Sequence, residues 1–174
     1  MPKNPTPIPG NGPAAPSSAT QPQQVQVRIA GQYIKDLSFE NPNIGKLITS
    51  PPESPNLDVE INVGVSNLGP NLYEAAIEFQ ARAKAKEMVI YEFEIVYAGA
   101  FQIDNAPPQA LEPMLFVNCP SLLFPFLRRI VADMTREGGF PPLLLDPVDF
   151  GALYLRKKQL GMPPQTGGPS TALS

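Results

Sequence analysis

Histidine and tryptophan are absent from this chain of 174 residues, and cysteine occurs once. Without histidine there is no Ser-His-Asp or Cys-His catalysis, no imidazole relay, and almost none of the common zinc sites. The single thiol, Cys119, supports neither an intrachain disulfide nor a multi-thiolate metal site. Charge is sparse too, at 17% of residues with a net charge of −3. Setting the tails aside removes only Lys3 and leaves 12 basic against 16 acidic side chains, a balance of −4. That sign argues against nucleic acid as a partner, because phosphate affinity grows with lysine and arginine. Paired carboxylates alone can hydrolyse glycosides, but no aromatic-rich sugar cleft accompanies these acids. The expectation is a protein that is not an enzyme, with no cofactor and no metal.

Long apolar runs are also missing, and none approaches the ~18–20 residues of a bilayer span. After Lys3 come Asn4, Pro5, Thr6 and Pro7, with no apolar core of a signal peptide. These features predict a cytoplasmic protein in a reducing compartment, with no direct membrane insertion.

What is abundant is proline. Of 23 prolines, seven fall in residues 1–22 and three after Gly161. Residues 1–22 and 161–174 hold scarcely a charge or a large side chain, so they cannot offset ~1–2 kcal/mol of backbone entropy per residue. Both tails are expected to be disordered, flanking one domain over 23–160.

Within that domain the periodicity changes once. From residue 24 to 101 the apolar spacing is two. Val25, Val27 and Ile29 form one set and Leu57, Val59, Ile61, Val63 and Val65 a second. Tyr73, Ala75, Ile77, Phe79 and Ala81 form a third, and Val89, Tyr91, Phe93, Ile95 and Tyr97 a fourth, opposite Glu92 and Glu94. Turn residues separate them, including Pro51, Pro52 and Pro55 and the stretch Gly69-Pro70-Asn71. Four half-buried antiparallel strands in a meander, ordered 1-2-3-4, are the simplest arrangement.

After Pro107-Pro108 the spacing becomes helical. Leu111, Met114 and Leu115 mark a short helix that Pro120 is expected to end or redirect. Leu123, Phe126, Leu127, Ile130, Val131 and Met134 mark a long one, stopped by Gly138-Gly139. A terminal helix starts after Asp149, a candidate N-cap, and ends in Arg156-Lys157-Lys158. The fold class is therefore α+β, a four-stranded antiparallel meander sheet followed by a long helix, an extended crossover loop and a terminal helix.

The crossover, Phe140-Pro141-Pro142-Leu143-Leu144-Leu145-Asp146-Pro147, is unusually apolar for a connector. Consecutive leucines in extended backbone cannot share one side, so at least one faces a groove or a partner. Cys119 reads as a small buried hydrophobe without chemistry.

Three blocks carry a resemblance. Lys35-Asp36-Leu37-Ser38-Phe39-Glu40-Asn41-Pro42-Asn43, Cys119-Pro120-Ser121-Leu122-Leu123-Phe124-Pro125-Phe126 and Gly139-Phe140 through Asp149-Phe150 resemble the SecB family of bacterial protein-export chaperones, in its order and spacing. The resemblance covers residues 24–160. It implies a homotetramer, a dimer of dimers, that holds secretory precursors unfolded and passes them to the SecA motor ATPase without using ATP itself. It also implies that SecA docks on acids of the outer sheet surface, which here match Asp36, Glu40 and Glu94, with Glu92 standing where the family has leucine.

A receptor for unfolded clients needs a long apolar groove tolerant of sequence. The candidates are Phe126 on the long helix, Phe140, Leu143 and Leu145 on the crossover, and Phe150, Leu153 and Tyr154 on the last helix, with Phe39 a weaker addition. The other reading is a small-molecule- or lipid-binding α+β domain with no catalysis.

Overall fold

The computed structural model describes residues 24–161 apart from 53. The two expected disordered tails lie outside the described residues, except for Gly161.

Four long strands, β1 (Gln26–Glu40), β2 (Asn56–Gly69), β3 (Leu72–Ala85) and β4 (Met88–Asp104), form one antiparallel sheet. Alternation in β3 and β4 produces its buried face: Ala75, Ile77 and Phe79 pack beside Phe93, Ile95 and Phe101, all at most 1% exposed. Tight two-residue turns join β2 to β3 and β3 to β4. Asn71 and Lys86 take up the left-handed backbone there, with φ of 54° each.

The expected order 1-2-3-4 is corrected to β1-β4-β3-β2. Only β2, β3 and β4 form a meander, and the return of β1 to pair with β4 makes a Greek key. The physical reason lies in residues 41–55, too long and too proline-rich for a hairpin. This segment contains a short helix, α1 (Ile44–Thr49), that the sequence reading did not anticipate. Two asparagines tie it down: Asn41 Nδ2 donates to the Gly138 carbonyl at 3.2 Å, and Asn43 Nδ2 to that of Val89 at 2.9 Å.

Pro120 does not end the preceding helix. Helix α2 (Pro108–Pro113) runs through a π-helical turn (Met114–Asn118) into α3 (Cys119–Glu137). The wider turn, in which the Cys119 N–H reaches the Met114 carbonyl, gives room for the Pro120 ring one turn on. This continuous helix of 30 residues is long and apolar enough to cross a bilayer by length and composition, which corrects the expectation of no span-length run. Its apolar stripe is spent on the sheet instead: Leu123, Leu127 and Val131 are each 0% exposed. Approach to β4 is so close that a Cβ on Gly99 would meet Leu123 Cδ2 at 2.8 Å.

Helix α3 stops at Gly138-Gly139, where Gly139 adopts φ 89°. The crossover then runs extended to α4 (Phe150–Gln159), whose N-cap is the expected Asp149, its Oδ1 accepting the Ala152 N–H at 2.9 Å.

Candidate functional site

The Gly138 backbone lies against the Phe39 ring. Phe39 stacks on Tyr91 with centroids 5.6 Å apart, and Phe140 completes the cluster 5.0 Å from Tyr91. Edge strand, central strand and crossover thus meet in three aromatic rings. Burial in this cluster raises the Tyr91 pKa.

Beside the cluster opens an apolar groove of about 590 Å³. One wall is α1, through Ile44, Leu47 and Ile48; the second is Pro51, Pro52 and Pro55. Leu57, Ala83, Ile90 and Tyr91 make the floor, and Phe140, Pro141, Pro142 and Leu143 the far wall. Five prolines line it: Pro51, Pro52 and Pro55 of the linker and Pro141 and Pro142 of the crossover. Proline holds these walls open in extended form, since its ring fixes φ and removes a donor.

The crossover leucines part as extended backbone requires. Leu143 lines the groove, Leu144 is 73% exposed, and Leu145, at 7%, enters the core. A buried hydroxyl sets this phase: Thr135 Oγ1 donates to the Val131 carbonyl and accepts the Leu143 N–H, each at 2.9 Å.

The other expected groove residues lie elsewhere. Phe150, 3% exposed, packs edge-on against Phe124 at 5.7 Å and borders a smaller depression of about 230 Å³ with Pro125 and Val148. Tyr154 stacks on Phe116 of the π-helical turn at 5.8 Å, and half-buried Leu153 packs with it on the core. Phe126 lines neither depression; it is 44% exposed beside Leu122 on the side of α3 turned away from the sheet. The structure therefore brings Phe39, Phe140 and Leu143 together, and sets Leu145, Phe150, Leu153, Tyr154 and Phe126 apart from them. Sequence reasoning missed α1, although Ile44, Leu47 and Ile48 have helical spacing, and gave Pro51, Pro52 and Pro55 only a turn role.

The acids behave differently. Pairing places Ser38 opposite Glu94 and Asp36 opposite Val96, while Glu40 faces Glu92. Asp36, Glu40 and Glu94 are all exposed and share the sheet surface opposite α3. Glu94 is thus the diagonal neighbour of both β1 acids, about 7–8 Å away in regular geometry. The same surface carries Asp58 and Glu60 of β2 around a shallow depression. Arg82 there is bound to Glu92 at 2.6 Å, which leaves Glu94 without that cation.

Cys119 is buried, and desolvation pushes its thiol up to about 12, so it stays protonated. Among the described residues, no group of three or more His, Cys, Asp or Glu is placed to hold a metal ion.

This sheet-and-helix architecture is similar to that of a SecB-like chaperone of Mycobacterium tuberculosis, solved in complex with a peptide from an antitoxin. The TM-score is 0.56 at 17% identity, over 70% of this chain and 90% of that one. Residues 20–160 match the SecB family, described as preprotein translocase subunit SecB. A protein-export protein SecB of Rhodopseudomonas palustris (strain BisB5) is 44% identical over 92% of this chain and 98% of its own. That of Hyphomonas neptunium is 49% identical over 85% of this chain and 83% of its own. The chain belongs to the SecB family, the chaperones of protein export.

Proposed function

We propose that the chain holds secretory precursors unfolded in the cytoplasm, with client segments lying in the groove between α1, the linker prolines and the crossover. The groove itself carries this reading: about 590 Å³ with apolar walls from three separate segments, and Ile48 left 74% exposed on its rim. Such a surface takes apolar side chains of many sequences, since it offers area and few fixed polar partners. Phe140 and Leu143 are the client-binding residues of the first rank, with Phe39 behind them. Leu145 and Phe150 belong to the core, Leu153 and Tyr154 pack against it, and Phe126 stands exposed on α3 away from the groove.

Asp36, Glu40 and Glu94 form the docking face for the SecA motor. Their shared exposure on one flat surface supports this, because like charges concentrated on a rigid sheet steer a basic partner to one orientation. The chain itself spends no ATP.

Assembly as a homotetramer, a dimer of dimers, follows from uncovered apolar area. Val27, Ile29, Ile34 and Leu37 along edge strand β1 are between 36% and 46% exposed, and Leu122 and Phe126 stand out from α3 at 47% and 44%. Tyr97 of β4 adds nothing to that area: it is 7% exposed, and its hydroxyl donates to Gln32 Oε1 at 3.1 Å.

The test is aggregation of a denatured precursor with and without the protein, alongside a panel of fatty acids and small apolar ligands. Suppression near one tetramer per client supports the reading. Tight uptake of a small ligand with no suppression supports a pocket protein instead.

A further inference from the structure

Strand β1 changes face twice. Ile29 stands opposite Phe101 and Gly31 opposite Ala100; further on, Ile34 stands opposite Tyr97 and Asp36 opposite Val96. At each break two residues of β1 oppose one of β4, so Ala30 and Lys35 are the extra residues of two bulges. Each bulge reverses which residues face the helices. The second is the consequential one. With Lys35 extra, Asp36 and Glu40 join Glu94 on the outer surface, and Phe39 turns inward to Tyr91. A one-residue slip would exchange them, putting Phe39 among the acids and Asp36 against the core.

Two side chains at this bulge reach over β4 to a single carboxylate on β3. Tyr33 Oη donates to Glu74 Oε2, and Lys35 Nζ donates to Glu74 Oε1 at 2.7 Å. Ser66 of β2 adds a contact to Oε1 at 3.5 Å. The passage across β4 is clear because the outer-surface row opposite Tyr33 is Ala98, Ala76 and Gly64. Ala98 and Ala76 are 0% and 7% exposed although they point away from the helices. Glu74 itself is 8% exposed. A bulge anchored by charge-assisted bonds to a strand that is not its neighbour cannot slide along β4 without breaking them.

We propose that Glu74 is a positioning residue that pins the Lys35 bulge, and so fixes which face Phe39, Asp36 and Glu40 take. One carboxylate then sets both the aromatic side of the groove and the acidic face. The consequence for docking rests on the SecA assignment made above; the facing of Phe39 does not.

The experiment compares Glu74→Gln, Lys35→Met and a Glu74→Gln chain lacking Lys35, all full length. Two quantities are read on the folded protein: the nuclear Overhauser effect between the Phe39 and Tyr91 rings, and affinity for SecA. Glu74→Gln is expected to lose the ring contact and to weaken SecA about tenfold, as loss of charge complementarity does. Removing Lys35 leaves Ile34 and Asp36 on consecutive partners with no extra residue, so it should restore both signals. If Glu74→Gln does not fold, Lys35→Met, which removes an exposed donor, is read in the same way. A variant that melts earlier but keeps the ring contact, or a deletion that restores nothing, overturns the proposal. Should Glu74→Gln lose the ring contact while SecA affinity holds both there and in Asp36→Asn/Glu40→Gln, the docking assignment fails and the positioning of Phe39 stands.

Discussion

The Thr135 hydroxyl accepts the Leu143 backbone N–H at 2.9 Å, from a side chain that is 0% exposed. This bond fixes where along α3 the crossover lies, and hence which of three leucines meets the groove. Thr135→Val removes the acceptor and leaves the part-buried Leu143 N–H without it, a loss of ~1 kcal/mol. Thr135→Ser should keep both stability and client affinity. Thermal melts of the two variants beside client titrations check this, and equal behaviour of Val and Ser would refute it.

Core and groove separate by burial. Leu145→Ala and Phe150→Ala should each cost ~2–5 kcal/mol of stability through lost packing, with client binding unchanged in the protein that remains folded. Ile48→Ser, Leu57→Ser and Leu143→Ser together should do the reverse, because Ile48 and Leu57 are 74% and 42% exposed. Circular dichroism and an aggregation assay on the same samples distinguish the two outcomes.

Neutralising the outer acids as Asp36→Asn, Glu40→Gln and Glu94→Gln should weaken SecA by at least about tenfold and leave clients bound. Added salt should weaken the unmodified pair in the same direction. A titration showing equal affinity for the triple variant would place the docking surface elsewhere.

Acid and alkali should act on opposite ends of one clasp. Burial pushes the Glu74 carboxyl up, but hydrogen bonds from Lys35 and Tyr33 outweigh it and hold the group below its ordinary value. The folded chain therefore binds this proton less tightly than the unfolded chain, so stability is full above the ordinary range and falls as pH drops through the lowered value. Burial, then the bond to Glu74, raises Tyr33 from 10.0 to about 12. Its contribution is full below pH 10 and is lost as pH climbs towards 12. Urea midpoints across pH should lose the acid slope in Glu74→Gln and the alkaline slope in Tyr33→Phe.

Sequence periodicity gave away β3, β4 and α3 because each buries a full face or stripe, and Asp149 and Gly139 marked helix ends through local chemistry alone. Strand order was hidden, because alternation says which residues point inward and nothing about which strand lies alongside. The helix across Pro120 was hidden because a π-helical turn relieves a clash that proline normally makes. Asp36, Glu40 and Glu94 were legible as a group only through the resemblance. Their common face depends on the Lys35 bulge, which reverses the parity that simple alternation assumes. The groove was half legible: Phe140 and Leu143 stood out as apolar residues in a proline-rich connector, whereas the α1 wall lies in the 41–55 linker, whose path follows from the strand order.

Whether four chains assemble and carry a client in the groove is read from native mass measurement of the protein alone and with a denatured precursor. Four chains alone, and the same four carrying one precursor, are the predicted species. Replacing Ile48, Leu57 and Leu143 with serine should leave the first and abolish the second. A stable monomer, or a tetramer whose precursor complex survives those three substitutions, would contradict the account.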